Sequence, residues 1–120
     1  MIGELYEAQT GRLILPHLVG ADTLAARAAG FLGRTNIDDG EAMWFDRCSG
    51  VHTLGMRVPI DVVLVDGSGA VLDVVEAVKP WRFWIGRART RSVLEMAAGN
   101  ARRRGVTSGT ILEMRWRSPT

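Results

Sequence analysis

Three side chains have the types that proton-transfer chemistry needs: His52, Asp61 and Glu95. An imidazole with an ordinary pKa of about 6.5 can exchange a proton around neutral pH. Asp61 and Glu95 stand within apolar stretches, where a carboxylate needs a hydrogen-bond or charge partner. If the fold brings the three together, they could act as an acid–base or ligand-orienting cluster. The alternative for His52 is a buried hydrogen-bond network that fixes strand register.

A second possible constellation is Cys48 as a nucleophile with His52 as its base. The two lie on either side of an expected turn, and no third residue is evident to orient them. The alternative is a small, partly buried thiol without a chemical role. The chain has two histidines and one cysteine without close ligand spacing, so the sequence predicts no metal site and no cofactor.

Residues 79–90 are expected to form a long loop rich in aromatic and basic side chains. Aromatic rings beside guanidinium groups can stack on bases while the guanidinium groups neutralise phosphates. Tryptophan and arginine are also enriched at the energetic centres of protein interfaces. Alternatively, the arginine stems pack over the tryptophans as a lid on the core. The predicted binding surface consists of Trp81, Arg82, Trp84, Arg87 and Arg89.

The charge distribution bears on the kind of partner. Residues 79–104 contain eight basic residues and one acidic residue, a net charge of +7, whereas the rest of the chain carries −5. This segment makes contact with RNA or DNA a hypothesis to test, with Arg82, Arg87 and Arg89 as the candidate contacts. The net charge of the whole chain, +2, is by itself little guide to the partner. We favour a protein partner or a small ligand over nucleic acid.

The size and composition fit one globular domain. The chain has 120 residues, of which 47% are hydrophobic and 23% are charged. We expect residues 1–11 and 117–120 to be loose ends. No signal peptide or membrane-spanning stretch is evident, and one cysteine cannot form an intrachain disulfide, so we expect a cytoplasmic protein.

The first half of the chain alternates short apolar runs with turns. Residues 13–19 predict an edge strand, because Pro16 cannot donate a ladder hydrogen bond. Residues 22–34 predict a helix capped by Asp22, with Leu24, Ala28, Phe31 and Leu32 on one face. Residues 42–45 and 51–56 predict two further strands.

The second half contains the strongest strand signals. Residues 60–65 and 70–78 predict a hairpin around the turn at residues 66–69. Both strands are apolar on both faces, so we expect the hairpin to be central, covered by the long helix on one side and by other strands on the other. Residues 91–96 predict a strand, residues 97–104 a short helix ended by Gly105, and residues 110–116 a last strand. The predicted fold is α+β, with a curved or barrel-like, mainly antiparallel sheet and two helices.

Several stretches, in this order and spacing, resemble the bacterial and archaeal domain-of-unknown-function family 192. They are GFLGR at 30–34, AMWF at 42–45, VHTLGMRVPIDVV at 51–63, VDGSGAV at 65–71, KPW at 79–81, VLEMAAG at 93–99, GV at 105–106 and SG at 108–109. The resemblance implies a compact, mostly β domain and no particular activity. His52 and Thr53 are typical of a His-Thr branch of the family, and Thr110 stands where many members have aspartate.

Three functions follow from these observations. The leading one is a non-catalytic binding or interaction module that uses residues 81–91 and a groove near His52. The second is a small enzyme, such as a hydrolase, that uses His52 with Asp61 or Glu95. The third is an accessory protein that contacts nucleic acid.

Overall fold

The computed structural model describes residues 1–21 and 31–117. These residues contain nine strands and one short helix. The elements are β1 (Ile2–Glu7), β2 (Leu13–Gly20), β3 (Glu41–Asp46), β4 (Gly50–Val51), β5 (Ile60–Val65), β6 (Val71–Val78), β7 (Ile85–Gly86), β8 (Ser92–Ala97), α1 (Asn100–Arg103) and β9 (Leu112–Trp116).

Seven strands form one mixed sheet in the order β6-β5-β8-β3-β2-β1-β9. Neighbours are antiparallel except for β2 and β3, which are parallel. A parallel pair needs a long crossover, and here residues 21–40 connect the two strands. The remaining strands, β4 and β7, pair with each other as a separate two-stranded ribbon.

The sheet has an apolar core on each face. The inner core draws side chains from both ends of the strand order, including Val71 of β6 and Leu112 of β9, so this face is the concave one. The outer core lies on the opposite face of β3, β5 and β8 and is covered by Phe31, Ile37 and the ribbon residue Val51, among others. Burial on both sides explains why β5 is apolar at five of its six positions.

The fold is mainly β rather than α+β. The sheet is curved, but it is not closed into a barrel. Its edge strands β6 and β9 are joined by a single isolated bridge in the described residues, between Ala70 and Ile111. The expectation of a curved or barrel-like, mainly antiparallel sheet is therefore confirmed for the sheet and its mainly antiparallel pairing, whereas the closed barrel and the α+β class with two helices are not.

Only one helix lies in the described part of the chain, α1, a single turn with Arg104 as its C-cap, followed by Gly105 with φ +71°. The helix predicted over residues 22–34 falls largely on residues 22–30, which lie outside the described residues. Its last part, residues 31–33, forms a turn. Phe31 is buried there and Leu32 is exposed, so these two side chains do not share one buried face.

The amino-terminal region is part of the sheet. β1 pairs with β2 on one side and with β9 on the other, so the expectation of a loose end over residues 1–11 is wrong. β2 is likewise not an edge strand. Pro16 is accommodated at a bulge, because Gly3 pairs with Leu18 while Leu5 pairs with Leu15, and pairing with β3 starts only at His17.

Two further expectations need correction. The hairpin of β5 and β6 is present, but β6 lies at the edge of the sheet and only β5 is internal. Of the strand predicted over residues 51–56, only Val51 lies in a strand, as the second residue of β4. Beyond Val51 the backbone turns, because the Met56 N–H donates to the carbonyl oxygen of Thr53 (3.1 Å) instead of to a neighbouring strand.

Candidate functional site

Thr53 fixes the backbone of the loop that precedes β7. Its hydroxyl donates to the Lys79 carbonyl oxygen (2.7 Å) and accepts from the Arg82 N–H (2.9 Å). Its own N–H donates to the Arg82 carbonyl oxygen (2.9 Å), and its carbonyl oxygen accepts from the Trp81 N–H (2.8 Å). One fully buried residue, through its hydroxyl and its backbone, therefore holds this loop against the turn that follows β4.

The anchored loop presents large aromatic side chains to solvent. Trp81 is 66% exposed, Phe83 82% and Trp84 61%. We call Trp81, Arg82, Phe83 and Trp84 the aromatic loop. Trp81 has φ +68°, a left-handed conformation that costs a residue with a β-carbon about 1 kcal/mol or more. The backbone thus holds this side chain outward at an energetic cost.

Trp84 is positioned by two glycines of the ribbon. A β-carbon at Gly50 would lie 2.5 Å from the Trp84 ring, and one at Gly86 would lie 2.9 Å from its Nε1. The indole therefore lies flat against a strip of backbone that has no side chains, although most of its surface faces solvent.

The structure separates the arginines that sequence analysis grouped with these rings. Arg82 is exposed within the aromatic loop. Arg87 donates from Nη1 to the Leu72 carbonyl oxygen on β6 (3.1 Å). Arg89 lies farther along the chain and lines a groove together with Arg91. In the described residues, the cation–π contacts involve Phe31 and Tyr6, and none forms on the aromatic loop.

The basic segment also does not form one continuous surface. Arg102 pairs with Glu76, Arg103 pairs with Asp39, and Arg104 donates to the Ile14 carbonyl oxygen. Ala101 of the same helix packs in the inner core, whereas the ribbon beside the aromatic loop packs in the outer core. The +7 segment is thus divided between opposite faces of the sheet and is partly neutralised within the molecule.

Asp61 is fully buried on the inner face of β5. Its Oδ1 accepts from the Ala77 N–H (2.9 Å) and its Oδ2 from the Ala101 N–H (3.0 Å). Ala77 has φ +49°, so the carboxylate stabilises an irregular part of β6 as well as the start of α1. Both oxygens are occupied by backbone donors, which gives Asp61 a structural role.

Glu95 lies on the opposite face of the sheet. It pairs with Val62 of β5, whereas Asp61 pairs with Met96, and successive residues of a strand point to opposite faces. Burial raises the pKa of Glu95 to about 7, and no hydrogen bond to its carboxyl group is present among the described residues. The fold therefore does not bring Asp61 and Glu95 together.

His52 is exposed, and its Nδ1 accepts a hydrogen bond from the Leu54 N–H (3.2 Å). Cys48 is half-buried, and its thiol donates to the Gly50 carbonyl oxygen (3.0 Å). Neither contact joins the thiol to the imidazole. Within residues 1–21 and 31–117, no group of histidine, cysteine, aspartate and glutamate side chains could hold a metal ion.

Two residues important for this surface were not predicted. Phe83 is the most exposed of the aromatic side chains but is not part of the predicted binding surface. The role of Thr53 depends on a loop nearly thirty residues away, which its local sequence does not indicate. The adjacency of His52 and Thr53 in the family pattern is the one sequence signal for that role.

The chain belongs to the DUF192 family, an uncharacterised family whose model matches residues 8–114. No curated protein matches it significantly. A protein of unknown function from Novosphingobium aromaticivorans has a similar structure, with a TM-score of 0.75 and 25% identity over 94% of this chain and 84% of that one. A proposed transcription regulator from Sinorhizobium meliloti has a TM-score of 0.78 and 24% identity over 94% and 92%, a likeness that shows the fold alone. None of the helices in the described residues is long and apolar enough to cross a membrane.

Proposed function

We propose that this protein is a non-catalytic binding module that contacts a protein partner through the aromatic loop. The observation that carries the proposal is the exposure of Trp81, Phe83 and Trp84 on one short anchored segment. Neighbouring large aromatic side chains at a surface are typical of interaction sites, because covering them removes apolar area from water. Tryptophan in particular contributes strongly to interface energies.

The loop is prepared for binding before a partner arrives. Four hydrogen bonds of Thr53 fix its backbone, and Gly50 and Gly86 leave room for the Trp84 ring. A fixed loop loses little conformational entropy when a partner orders it, so more of the contact energy contributes to affinity. This argument favours a dedicated binding surface over an incidental exposure of apolar groups.

Charge indicates the chemistry of the partner. Residues 79–84, which contain the aromatic loop, carry two basic side chains (Lys79 and Arg82) and no acidic one, so the complementary surface has apolar pockets beside carboxylates. Nucleic acid fits less well, because the basic residues of α1 lie across the sheet and are paired with Glu76 and Asp39. We place the protein in the cytoplasm, where a chain with the single Cys48 needs no disulfide.

The hydrolase hypothesis has weaker support. Asp61 is occupied by two backbone N–H groups, and Glu95 lies on the other face of the sheet. An acid–base pair needs its members within hydrogen-bond reach of one substrate. His52 as part of a groove on the binding surface stays a proposal that rests on its exposure and on its position next to Thr53.

The test is a selection of random dodecapeptides on the immobilised protein, followed by fluorescence polarisation with the selected peptides and with single-stranded oligo-dT. We expect acidic peptides with aromatic or leucine residues. We expect the variant Trp81→Ala/Phe83→Ala to weaken their binding at least tenfold, equivalent to about 1.4 kcal/mol or more. The control is Ile2→Ala/Leu13→Ala, which removes exposed apolar side chains from β1 and β2.

Unchanged peptide binding by the aromatic variant would refute the proposal. Oligo-dT binding that falls steeply with salt, with no peptide selected, would replace it with the nucleic-acid hypothesis.

A further inference from the structure

A groove of about 670 Å³ lies at the end of the sheet where β3 and β5 finish and β8 begins. Trp44 and Met114 contribute its apolar surface, and both belong to or pack against the inner core. Residues 89–92 line one side of it. This volume is in the range of sites for small molecules, which combine an apolar surface with a few placed polar groups.

The carboxylates that line the groove have hydrogen-bond partners within the protein, whereas the two arginines and the Thr90 hydroxyl that line it have none among the described residues. The Oδ1 atom of Asp66 accepts hydrogen bonds from the Ser68 hydroxyl and from two backbone N–H groups, which lower the pKa of Asp66. Asp46 accepts from the Ser92 hydroxyl (2.9 Å). The carboxylates are thus already engaged within the protein.

The donors on the other side are free. Among the described residues, no hydrogen bond or ion pair engages the guanidinium groups of Arg89 and Arg91. The hydroxyl oxygen of Thr90 is buried and has no hydrogen-bond partner there. An adjoining groove of about 390 Å³ shares Thr90 and Arg91 and adds Arg47 to its lining. The polar groups without a partner among the described residues are therefore the guanidinium groups of Arg89 and Arg91 and the Thr90 hydroxyl, which suit an anion.

The backbone that carries these donors is fixed. The Arg91 N–H donates to the Val65 carbonyl oxygen (2.7 Å), and the Arg91 carbonyl oxygen accepts from the Cys48 N–H (2.8 Å). Arg89 is held at φ +73°, a conformation that a residue with a side chain rarely adopts. Strained, well-anchored residues of this kind are concentrated at ligand sites.

We propose that this groove binds a small organic anion. Its carboxylate or phosphate group lies between Arg89 and Arg91 and accepts from the Thr90 hydroxyl, and its apolar body contacts Trp44 and Met114. Asp46 and Asp66 would repel a second negative charge, so the far end of the ligand is neutral or carries donors. This site is separate from the aromatic loop and does not depend on the function proposed for that loop.

The test uses phenyl phosphate and benzoate as probes, with benzyl alcohol as the uncharged control, in NMR titrations of the full chain. We expect saturable binding of at least one anion with shifts of the Trp44 indole signal. Arg89→Gln and Arg91→Gln should each weaken binding at least tenfold, and Arg57→Gln, an exposed arginine outside the groove, should not. Phosphate and carboxylate are distinguished by which probe binds more tightly.

The variant Thr90→Val tests whether the Thr90 hydroxyl contributes to anion binding or to the stability of the fold. It removes a buried hydroxyl without a partner, so the thermal midpoint should stay equal or rise while anion binding weakens. The variant Trp81→Ala/Phe83→Ala should bind phenyl phosphate as the wild type does. Loss of binding in that variant, wild-type binding by Arg91→Gln, or no saturable binding of either anion at millimolar concentration would overturn the proposal.

Discussion

Two buried carboxyl groups on neighbouring strands have opposite environments. Asp61 receives two backbone N–H groups, and Glu95 receives none from the described residues. A buried carboxylate without donors is unfavourable, so Glu95 keeps its proton to a higher pH than an exposed glutamate. The titration of Glu95 should therefore make the unfolding free energy depend on pH.

We predict that the unfolding free energy falls as the pH rises from about 4.5 through 7. The folded state keeps the proton on Glu95 up to a pKa of about 7, and the unfolded state releases it near the ordinary value of 4.5. Between these values the folded state binds more protons, so raising the pH favours unfolding. The pKa difference corresponds to about 3 kcal/mol, measurable by urea denaturation at several pH values.

Glu95→Gln is the matched variant for this effect. It should be more stable than the wild type at pH 8 by up to about 3 kcal/mol, and the difference should shrink towards pH 4. If both proteins lose stability in parallel over this range, the pH dependence arises elsewhere in the molecule.

At the scale of elements, Thr53 joins two connections that are far apart in sequence. Its hydroxyl lies between the Lys79 carbonyl oxygen and the Arg82 N–H, and these two partly buried hydrogen bonds satisfy both backbone groups. In the ribbon of β4 and β7, each strand is only two residues long. The loop therefore depends on this side chain for its order more than on the ribbon.

We predict that Thr53→Val destabilises the protein by about 3 kcal/mol, because it preserves side-chain volume but leaves two backbone groups unsatisfied. Thr53→Ser keeps the hydroxyl and should cost much less. Hydrogen exchange should show faster exchange at the Trp81 and Arg82 amides in the valine variant. Equal stability of the valine and serine variants would show that packing, rather than hydrogen bonding, is what Thr53 supplies.

The sequence predicts strands best where the strand signal is a local, apolar pattern. β3, β5, β6 and β8 follow from short apolar runs that contain β-branched or aromatic residues. β1 was missed, because Gly3 and Glu4 interrupt its pattern and its partners lie near residues 15 and 115. The alternation of His52, Leu54 and Met56 suggested a strand where Thr53 instead binds a distant loop.

For the candidate site, the sequence likewise predicts the features that depend on local composition and not those that depend on distant contacts. Exposed tryptophans beside arginines follow from composition, since a loop of this kind cannot be fully buried. The grouping of Asp61 with Glu95 depended on strand register, which places them on opposite faces and is set by pairing rather than by local sequence. Arg91 is held in the groove by backbone hydrogen bonds with Val65 and Cys48, which are distant in sequence.

On the scale of the whole molecule, stability depends on links between layers more than on surface side chains. Asp61 connects β5 to β6 and to α1. His52, by contrast, makes one weak backbone contact in solvent. Substitution of Asp61 should therefore change the unfolding free energy much more than substitution of His52.

We predict that Asp61→Asn lowers the unfolding free energy by about 3 kcal/mol, because one of its two N–H donors then faces an amide NH₂ group. His52→Ala should change it by no more than about 0.5 kcal/mol. Thermal and urea unfolding of both variants measure this contrast. A large loss of stability in His52→Ala would mean that the imidazole has a structural partner.

The position of β1 between β2 and β9 has a consequence for the newly made chain. β1 can pair with β2 early, but its other edge is covered only when β9 has been synthesised and reaches it. Until then it presents unpaired N–H and C=O groups, which other chains can use as a template for strand addition. Pairing between such distant segments is also slow. A nascent chain that has not yet produced β9 is therefore the form of this protein that most needs protection from aggregation.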